Sequence, residues 1–246
     1  MVELNGKVAL VTGGSRGIGA AISRRLAQGG ADVAFTYVRD ESQGKAVIDA
    51  IEATGRRSLA QQLDAANASA VQQIVDGVVS HFGRLDILVN NAGMFPSGPL
   101  EDVTVEEVDR TLAVNVRAVF VASQAAARHM KDGGRIISIG SCFAERVPYA
   151  GVSLYAMSKA ALLGLTKGLA RDLGTRGVSV TLVHPGSTDT DMNPANGPTA
   201  EYERTFIALR RYARPDDIAE TVAFLASTRA GYITGTSVAV DGGFAA

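Results

Sequence analysis

Lys7-Val-Ala-Leu-Val-Thr-Gly-Gly-Ser-Arg-Gly-Ile-Gly19 joins a short apolar run to a glycine-rich turn, and a helical pattern follows over residues 20–28. The run 7–11 is too continuously apolar for a half-exposed strand and suits one buried on both faces. The glycines let the backbone turn tightly and approach a ligand closely. A strand, such a turn and a helix together read as the first half of a βαβ unit.

The rhythm continues outward from there. Strands are predicted at 32–37 and 57–63 around a helix at 42–53. Asn67 caps a helix running to about His81, and a fourth strand at 85–89 enters Asn90-Asn-Ala-Gly93. The region 105–131 is helical and interrupted at Asn115, the fifth strand is 135–139, and Ser153 stands at the cap of a helix running to about Leu173. A sixth strand at 178–183, a helix at 215–226 with Pro215 in its first turn, and a last strand at 237–240 complete the series. Strands alternating with helices predict a seven-stranded parallel sheet with helices on both faces, a doubly wound α/β fold in one domain over 1–246. The stretch 187–214 holds Pro194, Asn196, Gly197 and Pro198 with little apolar periodicity, which predicts a substrate lid.

Composition narrows the function classes. The 246 residues are 46% apolar and 20% charged with a net charge of −1, so neither nucleic acid nor an anionic membrane is an expected partner. Cys142 is the only cysteine, which excludes an intrachain disulfide and fits a reducing, cytoplasmic setting. The histidines His81, His129 and His184 share no metal-ligand spacing, and no metal is expected. No apolar stretch reaches the ~18–20 residues that would span a bilayer.

In a doubly wound sheet, ligands bind beyond the carboxyl ends of the strands where strand order reverses. The turn Gly13-x-x-x-Gly17-x-Gly19 falls there, so Gly13, Ser15, Arg16, Gly17, Ile18 and Gly19 are candidates for holding a pyrophosphate against a helix N-terminus. The end of the second strand selects the cofactor. A carboxylate there would take the ribose 2′-hydroxyl of NAD; here Tyr37 stands in that place, with Arg39 two residues on and Arg16 in the loop. Two guanidiniums suit a 2′-phosphate, which favours NADP(H) over NAD(H). Asp40 and Glu41 follow at once, and a one-residue register shift would bring one of them to the ribose instead.

Tyr155 and Lys159 lie four apart, on one face of the predicted helix. A free phenol has a pKa near ~10, so roughly 0.1% is ionised at neutral pH. An ammonium one turn away favours the phenolate and makes the tyrosine a usable proton donor and acceptor. An ordinary amphipathic surface helix carries the same pattern, so this pair gains its meaning from the rest of the chain.

Taken together, the Thr12–Gly19 loop, Asn90-Asn-Ala-Gly93, Asn115, Ser141, Tyr155-x-x-x-Lys159 and Pro185-Gly186 make the chain resemble the short-chain dehydrogenases/reductases along its whole length, most closely the 3-oxoacyl-(acyl-carrier-protein) reductase-like ketoreductases. The resemblance implies a Rossmann fold, a homotetramer and a catalytic set of Asn115, Ser141, Tyr155 and Lys159. Tyr155 would give its proton to a carbonyl oxygen, Ser141 would hold that oxygen, and Lys159 would lower the phenol pKa and bind the nicotinamide ribose. Asn115 would hold a water feeding a proton relay. Asp64 would meet the adenine amine, while Asn90, Ala92 and Gly93 would line the adenosine side. Pro185, Gly186, Thr188 and Thr190 would meet the carboxamide or the phosphates. His184 reads as a structural loop residue.

Met94, Phe95, Phe143, Tyr149, Met192 and Phe206 are the candidate substrate contacts and predict an apolar pocket for a small carbonyl compound. The segment His129-Met-Lys-Asp-Gly133 carries Asp132 where the carrier-protein reductases tend to be basic, so an acyl carrier protein partner stays open beside a free ketone or aldehyde. One departure from the family pattern concerns Ser141, which precedes Tyr155 by 14 residues, one more than the usual 13, where Cys142 stands. A thiol is a poor hydrogen-bond donor. The expectation is therefore a longer connection with the Ser141 hydroxyl facing the phenol. The leading function is an NADPH-dependent carbonyl reductase, reversible as an alcohol dehydrogenase. The alternative is a nucleotide-binding regulatory protein on the same fold, a cyclic-dinucleotide sensor among them.

Overall fold

Successive residues of a strand leave a sheet on opposite faces, and here each face has helices to receive them. The computed structural model describes residues 3–39 and 41–246. In it, β1 (Val8–Val11), α1 (Gly17–Gln28), β2 (Asp32–Tyr37), α2 (Glu41–Glu52), β3 (Ser58–Gln62), α3 (Ala68–Phe82) and β4 (Ile87–Asn90) form the first half. The second half holds α4 (Val105–Leu112), α5 (Ala118–His129), β5 (Arg135–Ile139), α6 (Ser153–Gly174), β6 (Ser179–Pro185), α7 (Ala200–Phe206), α8 (Pro215–Ala226) and β7 (Thr236–Val240). Among the described residues the seven strands form one parallel sheet in the order β3-β2-β1-β4-β5-β6-β7.

Ala9, Val11, Val33 and Phe35 point to the face covered by α1, α2 and α8, where Ile22, Leu26, Ile51, Ile218 and Val222 are fully buried. Val8, Leu10, Ala34 and Leu88 point to the other face, against Val71, Ile74, Val75 and Val78 of α3 and the alanines of α5. Each of the larger side chains among these, Val, Leu, Ile or Phe, stabilises the fold by roughly 1.5–3 kcal/mol when taken out of water. The strand order reverses between β1 and β4, which places the exits of those two strands side by side.

Several boundaries differ from expectation for local reasons. Ser153 is the first residue of α6, and Val152, which has no capping side chain, precedes it. β6 runs on to Pro185, so His184 is a buried strand residue rather than part of a loop. The region 105–131 divides into α4, a π-helical turn at Ala113–Arg117 and α5. Such turns insert one residue into the hydrogen-bond ladder, and Asn115 sits in this one. The stretch 187–214 contains α7 and is tied back on itself: a parallel bridge pairs Thr188 with Ala213, and Ala213 N–H donates to Ser187 O at 2.9 Å. No helix among the described residues is long and apolar enough to cross a membrane.

Candidate active site

The exits of β1 and β4 are laced together by Thr12 and Asn91. The Thr12 hydroxyl oxygen accepts the backbone N–H groups of Asn91 and Ala92, each at 3.0 Å. The Asn91 amide donates back to Thr12 O at 3.0 Å and Gly13 O at 2.9 Å. Gly13 (φ +64) and Gly17 (φ +52) take left-handed conformations that a side chain would strain. At Gly19 the demand is for space, since a Cβ would lie 2.1 Å from Gly13 O. The helix beyond, α1, has no acidic residue in its first turn and no side-chain cap from Arg16. Its first N–H groups and its positive end therefore face the loop, as an anion site requires.

From this loop a cleft of about 930 Å3 runs to the aromatic end of the molecule. Gly13, Ser15, Arg16, Gly17, Ile18, Gly19, Tyr37, Arg39, Ala92 and Gly93 line its first part. Pro185, Gly186, Thr188 and Thr190 close one side. Gly186 needs its hydrogen, for a Cβ there would sit 2.7 Å from Asp241 Cα. Arg16 and Arg39 are exposed on the rim near Tyr37. Arg16 lies 3.7 Å from Asp191 with both side chains more than half exposed, a pairing worth little in water. This donor set fits NADP: a glycine cradle, an uncapped helix start and two guanidiniums beside a tyrosine rather than a carboxylate. Of the two acids that a register shift would have brought to the ribose, Asp40 lies outside the described residues, and Glu41 is an exposed first residue of α2.

Asp64 and Asn90, two expected cofactor residues, are not among those lining this cleft. Asp64 is turned to Arg110, which donates to both carboxylate oxygens at 2.9 and 3.1 Å, and it also accepts the Ala66 N–H. These bonds hold the carboxyl below its usual range, Arg110 contributing most, and the residue is absent from the cleft lining. Asn90 is buried beneath the floor, and its amide donates to the hydroxyls of Ser123 and Ser138. Asn91, one residue on, lines the cleft in its place.

At mid-cleft α6 presents Tyr155 and Lys159. Lys159 is buried, its ammonium donates to Ile139 O at 2.9 Å and lies 5.8 Å from the Tyr155 ring centre, and burial pulls its pKa down to about 8. The phenol is pushed up to about 12 by burial, opposed by a hydrogen bond with the Ser141 hydroxyl. Burial is the largest influence on the phenol, and the tyrosine is protonated at neutral pH. The Ser141 hydroxyl also caps the short turn Cys142–Ala144 by accepting Phe143 N–H at 3.2 Å. The Cys142 thiol adjoins that hydroxyl and is held protonated, its pKa raised by burial to about 12.

Asn115 is buried next to this set, outside the cleft lining. Its Oδ1 accepts Met94 N–H at 2.9 Å, and its Nδ2 donates to Met94 O and to Ser158 Oγ, each at 3.0 Å. Ser158 Oγ in turn donates to Tyr155 O at 2.7 Å. The amide N–H groups are committed to fastening α6 to the β4 exit, so a water held here would have to meet the backbone of the π turn.

Phe95 stands edge-on to Tyr155 with ring centres 4.6 Å apart, and Phe143 does so at 6.0 Å. Tyr149 follows against Phe143 at 5.5 Å, and Met94 and Met192 complete an apolar end. Phe206 lies behind, in a cluster with Cys142, Tyr212 and Phe244. Glu203, unremarkable in sequence, is a hub: its carboxylate accepts from Ser187 at 2.7 Å, Tyr212 at 2.8 Å, Asn193 at 2.9 Å and Thr199 at 3.2 Å. At the end of α5, His129 Nε2 lies 2.9 Å from Asp76 Oδ1.

A family model described as enoyl-(acyl carrier protein) reductase matches residues 13–245. The chain is 43% identical, over the full length of both, to a cyclic-di-GMP-binding biofilm dispersal mediator protein of Escherichia coli strain K12. It is 37% identical to a probable tetrahydroxynaphthalene reductase of Zymoseptoria tritici, covering 98% of this chain and 95% of that protein. Among solved structures, a short chain dehydrogenase from Burkholderia cenocepacia J2315 in complex with NADP superposes with a TM-score of 0.98 at 59% identity, covering 99% of this chain and 100% of the other.

Proposed function

The chain belongs to the short-chain dehydrogenases/reductases and is an NADP-dependent oxidoreductase, and we propose that it reduces a small, free, largely apolar ketone or aldehyde with Tyr155 as proton donor. The observation that carries this reading is the position of the Tyr155 phenol. It lies between the glycine cradle and the aromatic end, protonated at neutral pH, with the Ser141 hydroxyl on one side and a buried ammonium on the other.

Ser15 to Gly19 and the start of α1 would hold the pyrophosphate, and Arg16 and Arg39 the 2′-phosphate. Bound NADPH supplies the hydride. The residues of the chain do the rest. The Ser141 hydroxyl donates to the carbonyl oxygen as negative charge develops there. The Tyr155 phenol passes its proton to that oxygen, whose alkoxide is the stronger base. Lys159, cationic at neutral pH, then faces a phenolate. At an effective dielectric of about 20, charges roughly 6 Å apart attract by on the order of 3 kcal/mol, which offsets much of the cost of ionising a buried phenol. Asn115 and Ser158 keep the first turn of α6 in register with the cleft floor. The reverse steps oxidise an alcohol.

The described residues are proposed to work as one domain, with 187–214 as a lid held by Glu203. A homotetramer is proposed from the family; Val105 and Phe120, apolar and exposed on α4 and α5, supply surface for it. A cytoplasmic location is proposed from the single, reduced cysteine. A free substrate is preferred to a carrier-bound one because His129 is already paired with Asp76 and Asp132 adds negative charge. The second reading, a cyclic-dinucleotide sensor, draws on the relative of that description in Escherichia coli. A panel of ketones and aldehydes with NADPH and NADH tests the reaction. Turnover with NADPH supports the reductase; NADPH binding with no turnover, and tight cyclic-di-GMP binding, supports the sensor.

A further inference from the structure

His184 lies on β6 directly beneath Ser141 and is 1% exposed. The backbone N–H of Ser141 donates to its Nδ1 at 3.0 Å. A nitrogen that accepts carries no proton, so a neutral ring holds its proton on Nε2. That Nε2 is buried, without a hydrogen-bond partner among the described residues, and 3.7 Å from Glu145 Oε1. The ring also explains Gly140, where a Cβ would lie 2.4 Å from Nδ1. Burial, the largest influence, and the charge of Lys159 lower the His184 pKa and keep the ring neutral, against Glu145, the Ser141 backbone contact and Asp241.

We infer that His184 is the positioning residue for Ser141: a neutral ring, protonated on Nε2, accepts the Ser141 N–H on Nδ1 and so grips the Ser141 main chain that its hydroxyl faces Tyr155. A second ring proton would set two donors against each other at the 3.0 Å contact and release the serine. The inference rests on the reading of Ser141 as the group that holds the substrate oxygen. Hydroxyl placement bears on turnover, since a shift of ~1 Å in a catalytic group can cost ~100-fold.

The test uses the NADPH-bound enzyme with a ketone it reduces. His184→Asn places a short acceptor near the Nδ1 position, whereas His184→Leu fills the space and accepts nothing. The expected result is kcat lowered roughly 10- to 100-fold in His184→Leu, within about 3-fold of wild type in His184→Asn, and KM and the NADPH Kd within about 2-fold in both. Nitrogen-15 NMR of wild-type histidine side chains at neutral pH is expected to show His184 as the neutral Nε2–H form. The proposal is overturned by full kcat in His184→Leu, by equal losses in the two variants, or by an Nδ1–H or cationic ring. If His184→Leu does not fold, the asparagine variant and the NMR form decide. If wild type reduces no carbonyl compound, the reductase reading fails, while the NMR result still reports the grip of His184 on Ser141.

Discussion

Replacing Lys159 with methionine should weaken activity and strengthen the fold, and the pH dependence of the second effect can be worked out. The ammonium has a pKa of about 8 against an ordinary 10.5, with burial as the cause. At 1.36 kcal/mol per pH unit that difference amounts to roughly 3 kcal/mol. The sign follows from proton counting. Below about pH 8 both folded and unfolded states hold the proton, and the fold bears the full cost of the buried charge. Between the two pKa values only the unfolded state holds it, so wild-type stability rises with pH and levels off above the higher one. Methionine has no such proton. It does leave the Ile139 carbonyl without its donor, a pH-independent cost of about 1–3 kcal/mol. Urea unfolding of both proteins from pH 7 to 10.5 isolates the effect, because all other titrations cancel in the difference. The advantage of Lys159→Met over wild type should shrink by roughly 3 kcal/mol across that range, while its kcat/KM for ketone reduction falls at least ~100-fold at neutral pH. A difference that stays flat with pH would refute the claim that the ammonium is desolvated.

Three further outcomes are expected. Arg39→Ala should weaken NADPH binding roughly 10- to 100-fold, the worth of charge-assisted bonds to a phosphate, and leave NADH binding unchanged; fluorescence titration of both cofactors checks it. Ser141→Ala should lower kcat by ~100- to 1,000-fold, as loss of an oxyanion donor does, whereas Cys142→Ala stays within a few-fold because a thiol held protonated at neutral pH is a poor donor. Glu203→Ala removes the acceptor of four hydrogen bonds and should cost about 1.5–3 kcal/mol, raise KM, and speed proteolysis within 187–214.

The sheet was legible because burial on both faces writes itself as continuous apolar runs, as in Val8–Val11 and in Ile87, Leu88 and Val89 of β4. The glycine turn was legible for a similar reason: Gly13 takes a left-handed backbone conformation, and at Gly19 a Cβ would meet Gly13 O within the same turn. Asp64 illustrates the limit. Its place after a strand suggested an adenine contact, and its partner Arg110 lies 46 residues away on α4. Asn90 and Asn91 were interchangeable by motif, and only the strand's last register step sends one under the floor and the other into the cleft. The charge of Lys159 is visible in the sequence, whereas the burial that raises the phenol pKa is not. Glu203 and His184 act through partners drawn together by the fold, so no spacing could announce them, and the seven-residue α7 is too short to show a period among Pro194, Gly197 and Pro198.

The most direct measurement is NADPH consumption by wild type and Tyr155→Phe over a panel of small apolar ketones and aldehydes, with NADPH affinity measured alongside. The account predicts that wild type reduces at least one of them faster with NADPH than with NADH, and that the phenylalanine variant binds NADPH equally well but turns over ~100- to 10,000-fold more slowly. Undiminished turnover without the phenol, or NADPH binding with no carbonyl compound reduced, would contradict it.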